Sequence, residues 1–95
     1  MDNEQFVNYC KELVFNYTKE QLDASESKGF KKDDVYVVWL SKTLQNNKAL
    51  LSTNLSDGMY YEVTYNGDKD EAYFDAYKKQ ENIKYDVSIR PEVSD

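Results

Sequence analysis

Cys10 is the one thiol in the chain, and there is no histidine to take its proton. A cysteine reacts as its thiolate, beside a base or a cation, and Cys10 instead falls on the apolar side of a helical stretch, where a buried thiol is the simpler reading. The lack of histidine also removes the commonest metal ligand and the usual proton shuttle near neutral pH. Asp68, Asp70, Glu71 and Asp75 bunch as cation ligands do. A calcium loop, however, alternates its ligands and closes on a later bidentate glutamate, whereas here helix-like sequence begins after Glu71. Helix capping is the better use of those acids. A carboxylate pair for glycoside hydrolysis would have to face one cleft across a set gap, which spacing along a chain does not establish. Gly29, Gly58 and Gly67 are too scattered to cradle a phosphate, and no Gly-Lys-Ser/Thr loop occurs. The triplets Asn16-Tyr17-Thr18 and Asn54-Leu55-Ser56 fit a glycosylation pattern that matters only after secretion. No enzyme activity, metal or cofactor is expected.

What remains is recognition. Of the aromatic residues 9 are tyrosine, 4 phenylalanine and 1 tryptophan, and Tyr60, Tyr61, Tyr65, Tyr73, Tyr77 and Tyr85 all lie in the second half. That half is also the acidic one: residues 49–95 hold 10 acids against 5 bases, while residues 1–48 hold 8 against 7, within a net charge of -6. Tyrosine offers a large contact area at small rotamer entropy and a hydroxyl that tolerates water. The competing use is strand-compatible core filling with the hydroxyl at the edge. An acidic field repels phosphate backbones and speeds encounter with a basic protein surface. Direct nucleic-acid binding is therefore not expected. The candidate binding residues are Tyr60, Glu62, Tyr65, Asp68, Asp70, Glu71 and Asp75. A second class of function is a small-ligand binder, with aromatic rings stacking on a nucleotide and Lys42, Lys48 or backbone amides holding its phosphates.

These side chains must be positioned by a single domain of 95 residues. A helix is expected from about Asn3 to Leu22, capped by Asp2 or Asn3, with Phe6, Cys10, Leu13, Val14, Tyr17 and Gln21 on its inner face and Val7 and Phe15 widening the stripe. Residues 23–34 lack a period and read as a flexible, solvated loop, with Phe30 tucked inward. Val35–Leu40 is apolar on both alternating faces, as in a central strand, and extends as far as Leu44, with Trp39 in the core. A turn at Gln45-Asn46-Asn47-Lys48 leads to a strand over Ala49–Asn54. Asp57-Gly58 reverses the chain into Met59–Tyr65, with Met59, Tyr61, Val63 and Tyr65 on one face and Tyr60, Glu62 and Thr64 on the other. Asp68 or Asp70 then caps a second helix through about Gln80, its inner face formed by Tyr73, Phe74, Ala76 and Tyr77. Ile83, Tyr85, Val87 and Ile89 alternate with polar residues as a short fourth strand ended by Arg90-Pro91, before a loose tail over 91–95. The class is α+β: an N-terminal helix, a three-stranded antiparallel meander, a second helix and a short C-terminal strand.

The stretch Val37–Trp39, the run Lys42-Thr43-Leu44-Gln45-Asn46-Asn47-Lys48 through Thr53, then Ser56–Glu62, Thr64–Lys69 and Asp75–Lys79 resemble a family of small uncharacterised proteins from phages and prophages of Gram-positive bacteria. The resemblance covers residues 35–82, with a weaker helical match before it. It implies a phage-encoded accessory protein of the host cytoplasm and brings no activity or site residues with it. No signal peptide is seen at the start, and no apolar run approaches the roughly 18 residues that cross a membrane. The expectation is a non-enzymatic protein whose acidic, tyrosine-bearing half engages a host or phage protein with a basic surface, inhibiting a host defence or nucleic-acid enzyme.

Overall fold

The computed structural model describes residues 1–81 and 83–86. Helix α1 (Asn3–Gln21) opens on a reciprocal cap: the Asp2 side chain accepts the Gln5 N–H at 2.8 Å, and the Gln5 side chain accepts the Asp2 N–H at 3.0 Å. Its buried stripe is Phe6, Cys10, Val14 and Thr18, spaced by four. Leu13 and Tyr17 flank that stripe, and Gln21 is exposed rather than inward. Residues 23–34, expected as a loop, form a short helix α2 (Ala24–Gly29) and a 3₁₀ turn (Lys32–Asp34). Asp23 makes the difference by capping α2, its carboxylate accepting the Glu26 N–H and the Ser25 hydroxyl at 2.9 Å each. Phe30 does turn inward, and its ring stacks on Phe15 with centroids 5.7 Å apart.

Four strands follow: β1 (Val35–Thr43), β2 (Asn46–Thr53), β3 (Met59–Asn66) and β4 (Glu71–Lys78). They form one antiparallel sheet in the order β1-β2-β3-β4. Helix α1 lies on one face, and the core between the two layers is Phe6, Cys10, Val14, Phe30, Val35, Ala49, Leu51, Tyr61 and Val63. The α+β class and the first helix hold, with two corrections to the sheet.

The first concerns β1, an edge strand rather than a central one. A bulge at Val38 shifts its register, so Val37 pairs with Leu51 on the helix side while Trp39 pairs with Leu50 on the other. One extra residue in a strand reverses the facing of everything beyond it. Trp39 is therefore 41% exposed instead of buried.

The second concerns residues 71–78, which form strand β4 and not a helix. Ala72, Phe74 and Ala76 alternate with Tyr73, Asp75 and Tyr77, so the segment satisfies a period of two as well as the helical spacing that Tyr73, Phe74, Ala76 and Tyr77 suggest. Pairing with the open edge of β3 decides between them by giving its backbone groups partners. Asp68 and Asp70 thus sit in a turn and cap no helix. Ile83–Asp86 belong to no strand, and Val87, Ile89, Arg90, Pro91 and the tail over 91–95 lie outside the described residues.

The first hairpin turns at Leu44-Gln45, one step before the asparagine pair, which begins β2. Leu44 holds a φ of 54° while 89% exposed. A left-handed conformation costs a branched residue about 1 kcal/mol and asparagine less. Leu44→Asn is therefore expected to raise stability by up to about 1 kcal/mol, read as a higher denaturant midpoint at unchanged slope.

Candidate functional site

Alternation along β1–β4 places every second residue on the sheet face that α1 does not cover. The register builds three cross-strand rows there: Tyr36, Ser52, Tyr60 and Tyr77; then Trp39, Leu50, Glu62 and Asp75; then Ser41, Lys48, Thr64 and Tyr73. Tyr73 and Tyr77 are 58% and 51% exposed. An aromatic sheet face on which no second layer lies among the described residues is unusual, because antiparallel sheets that face water carry mainly polar residues there.

Inside this aromatic surround sit two carboxylates. Glu62 and Asp75 stand directly opposite one another on β3 and β4, a pairing of like charges that works against the sheet. Lys48 Nζ lies 3.4 Å from Glu62 Oε2, and Tyr77 Oη donates to Glu62 Oε1 at 3.4 Å. Tyr73 Oη donates to Glu71 Oε1 at 3.0 Å. The Asp75 carboxylate, followed by that of Glu62, holds the Tyr77 phenol above its ordinary pKa; the bond to Glu71 does the same for Tyr73. Both phenols report a negative local field. Lys79 Nζ reaches over the Tyr60 ring at 5.8 Å from its centroid, so one ring already carries a cation.

Of the candidate residues, Tyr60, Glu62 and Asp75 come together on the uncovered face, with Glu71 at its margin through Tyr73. Tyr65 points to the helix side, where Tyr65 Oη donates to Asp70 Oδ1 at 2.7 Å and that bond raises its pKa. Asp68 is exposed in the β3–β4 turn, its N–H bonded to Asn66 Oδ1. The seven candidates therefore divide between two places. Sequence reasoning missed Tyr36, Trp39, Leu50, Tyr73 and Tyr77. The period of two that sets Ala72, Phe74 and Ala76 against Tyr73, Asp75 and Tyr77 was the available signal for the last two.

Cys10 is buried against the sheet and removed from any such surface. Burial pushes its thiol pKa from the usual 9.0 up to about 12, and burial also raises the Tyr61 phenol. Both groups keep their protons longer when folded. Their contribution to stability is complete below the unfolded-state values and is lost as pH rises through the folded ones. Stability is thus expected to fall from about pH 9 upward, by as much as about 1.4 kcal/mol per pH unit for Cys10, with Tyr61 adding to the fall only above its ordinary value of 10.0. Denaturant melts across that range check this, with slow alkylation of native Cys10 at pH 8 and fast alkylation after unfolding as the companion measurement.

Among the described residues, no three His, Cys, Asp or Glu side chains converge to hold a metal, and no helix is long and apolar enough to cross a membrane. A family model described as a family of unknown function (DUF6275) matches residues 7–87. No curated protein and no solved structure matches the chain.

Proposed function

We propose that this chain, which belongs to the DUF6275 family, is a non-enzymatic binding protein that seats a basic protein surface on the uncovered face of its sheet. The observation that carries the reading is the Glu62–Asp75 pair: two carboxylates set opposite each other, at a cost to folding, among aromatic side chains that no other described residues cover as a layer. A lysine or arginine from a partner would relieve that repulsion while its stem packs on Tyr60, Tyr77 and Trp39. The rings supply area and the carboxylates supply direction.

The reading places the chain in the cytoplasm of an infected bacterium, as the resemblance drawn from its sequence implies. A target whose basic groove normally holds nucleic-acid phosphates, such as a host defence or nucleic-acid enzyme, suits carboxylates presented in their place. The other expected use is a nucleotide whose phosphates are held by Lys42, Lys48 or backbone amides; the two lysines cannot share one ligand, because Lys42 lies in a row with buried Asn47 on the helix side and Lys48 is paired with Glu62 on the opposite face. Affinity capture from infected cells, followed by titration of the purified partner against wild type and Asp75→Lys at two salt concentrations, tests the proposal. Equal binding by the two proteins would refute it.

A further inference from the structure

The helix side of the sheet holds a different feature, independent of the aromatic face. Where the β1–β2 and β3–β4 turns meet, Lys42, Asn47 and Tyr65 form one cross-strand row. Together with the turn residues Gln45 and Gly67 they line a cleft of about 160 Å³ whose wall is mainly polar. The turns are locked close together. The Gly67 N–H donates to the Gln45 carbonyl at 3.1 Å, and a Cβ on Gly67 would lie 2.3 Å from that same oxygen. Only glycine fits there.

Most polar groups of the cleft are already engaged. The Gln45 carbonyl accepts from Gly67, and Tyr65 Oη donates to Asp70, which brings one carboxylate to the rim. Several donors are left, the Gln45 side-chain amide among them, and two of these matter most. Asn47 is 2% exposed, and its Nδ2 has no hydrogen-bond partner among the described residues. A buried amide donor without an acceptor is costly to the fold, so such groups are rare unless something else satisfies them. The second donor is Lys42, the only charged side chain in the wall. Among the described residues the ion pairs use Lys32 and Lys48, not Lys42.

An amide donor and an ammonium without matching acceptors select a ligand that carries oxygen acceptors and negative charge. We infer that this cleft binds a small oxyanion, a carboxylate or a phosphate, with Lys42 pairing its charge and Asn47 Nδ2 donating to one of its oxygens. The cavity accommodates a multi-atom ion, and Lys42 supplies the local attraction that must outweigh the acidic balance of the rest of the chain.

Titration of the full chain with sodium acetate and with sodium phosphate, each against sodium chloride at equal ionic strength, tests the inference by amide NMR. Saturable shifts of the Asn47 side-chain amide and of the backbone at residues 44–47 and 65–67 are expected with one or both oxyanions. Which of the two saturates identifies the ligand class. Lys42→Met should weaken that binding about tenfold or more, whereas Lys48→Met should leave it within about twofold. Both lysines are exposed, so neither change threatens the fold. Shifts that stay linear in all three salts, or that persist unchanged in Lys42→Met, overturn the assignment.

Discussion

Asp75→Lys is expected to strengthen the fold and abolish partner binding at the same time. In the native sheet Asp75 faces Glu62 across β3 and β4, and Lys48 offsets only part of the repulsion. A lysine at position 75 turns a like-charge pair into an opposite-charge one, worth about 0.5 kcal/mol at an open sheet position. The same change removes one of two carboxylates that a basic partner would meet and puts a cation in its path. Affinity should fall at least about tenfold, with a flatter dependence on salt, because fewer screened attractions remain. Gain of stability with loss of binding is the mark of a residue retained for contact rather than for folding. Denaturation midpoints and titration calorimetry with the captured partner read the two halves separately. A variant that is both more stable and fully competent would move the interface elsewhere.

Leu51→Ala and Trp39→Ala should differ in a direction opposite to what side-chain size suggests. Leu51 lies fully buried between α1 and the sheet, opposite Tyr61 and Val37. Its truncation leaves a cavity that the helix and sheet cannot both close, at a cost of about 2–5 kcal/mol. For a domain of this size each kcal/mol moves Tm by about 4–8 °C, so the loss should be plain in a thermal melt. Trp39 is larger, yet the bulge at Val38 has carried it to the uncovered face. Its loss should cost about 1 kcal/mol or less, while weakening partner binding as loss of an aromatic anchor does. A thermal melt in which Trp39→Ala matches Leu51→Ala would mean that the tryptophan is covered after all.

The contrast shows which features could be read from residue order and which could not. Helix α1 was legible because its cap and its apolar stripe agree over five turns, and Met59–Tyr65 because Asp57-Gly58 fixes where the alternation starts. The bulge was not legible: nothing in Val35–Leu40 marks Val38 as the extra residue, since every position there suits either face. Residues 71–78 were ambiguous for a different reason. Eight residues satisfy both periods, and the choice depends on the unpaired edge of β3, which is a property of the assembled sheet. The candidate site divided accordingly. Tyr60, Glu62 and Asp75 were recognisable as recognition residues, but the rows that join them to Trp39 and Tyr77 require the register; Tyr65 lies on the other side, where the alternation of Met59–Tyr65 already puts it.

The strand order has a consequence for how the molecule comes into being. Each strand bonds only to its neighbours in the chain, through connections of two, five and four residues, so hairpins can close one after another with little loop entropy to overcome. Helix α1 leaves the ribosome before β1 and β2, the strands it lies against most closely. Phe6, Cys10 and Val14 must therefore wait in water until the sheet arrives, and docking of the helix is expected to be the late step that completes folding.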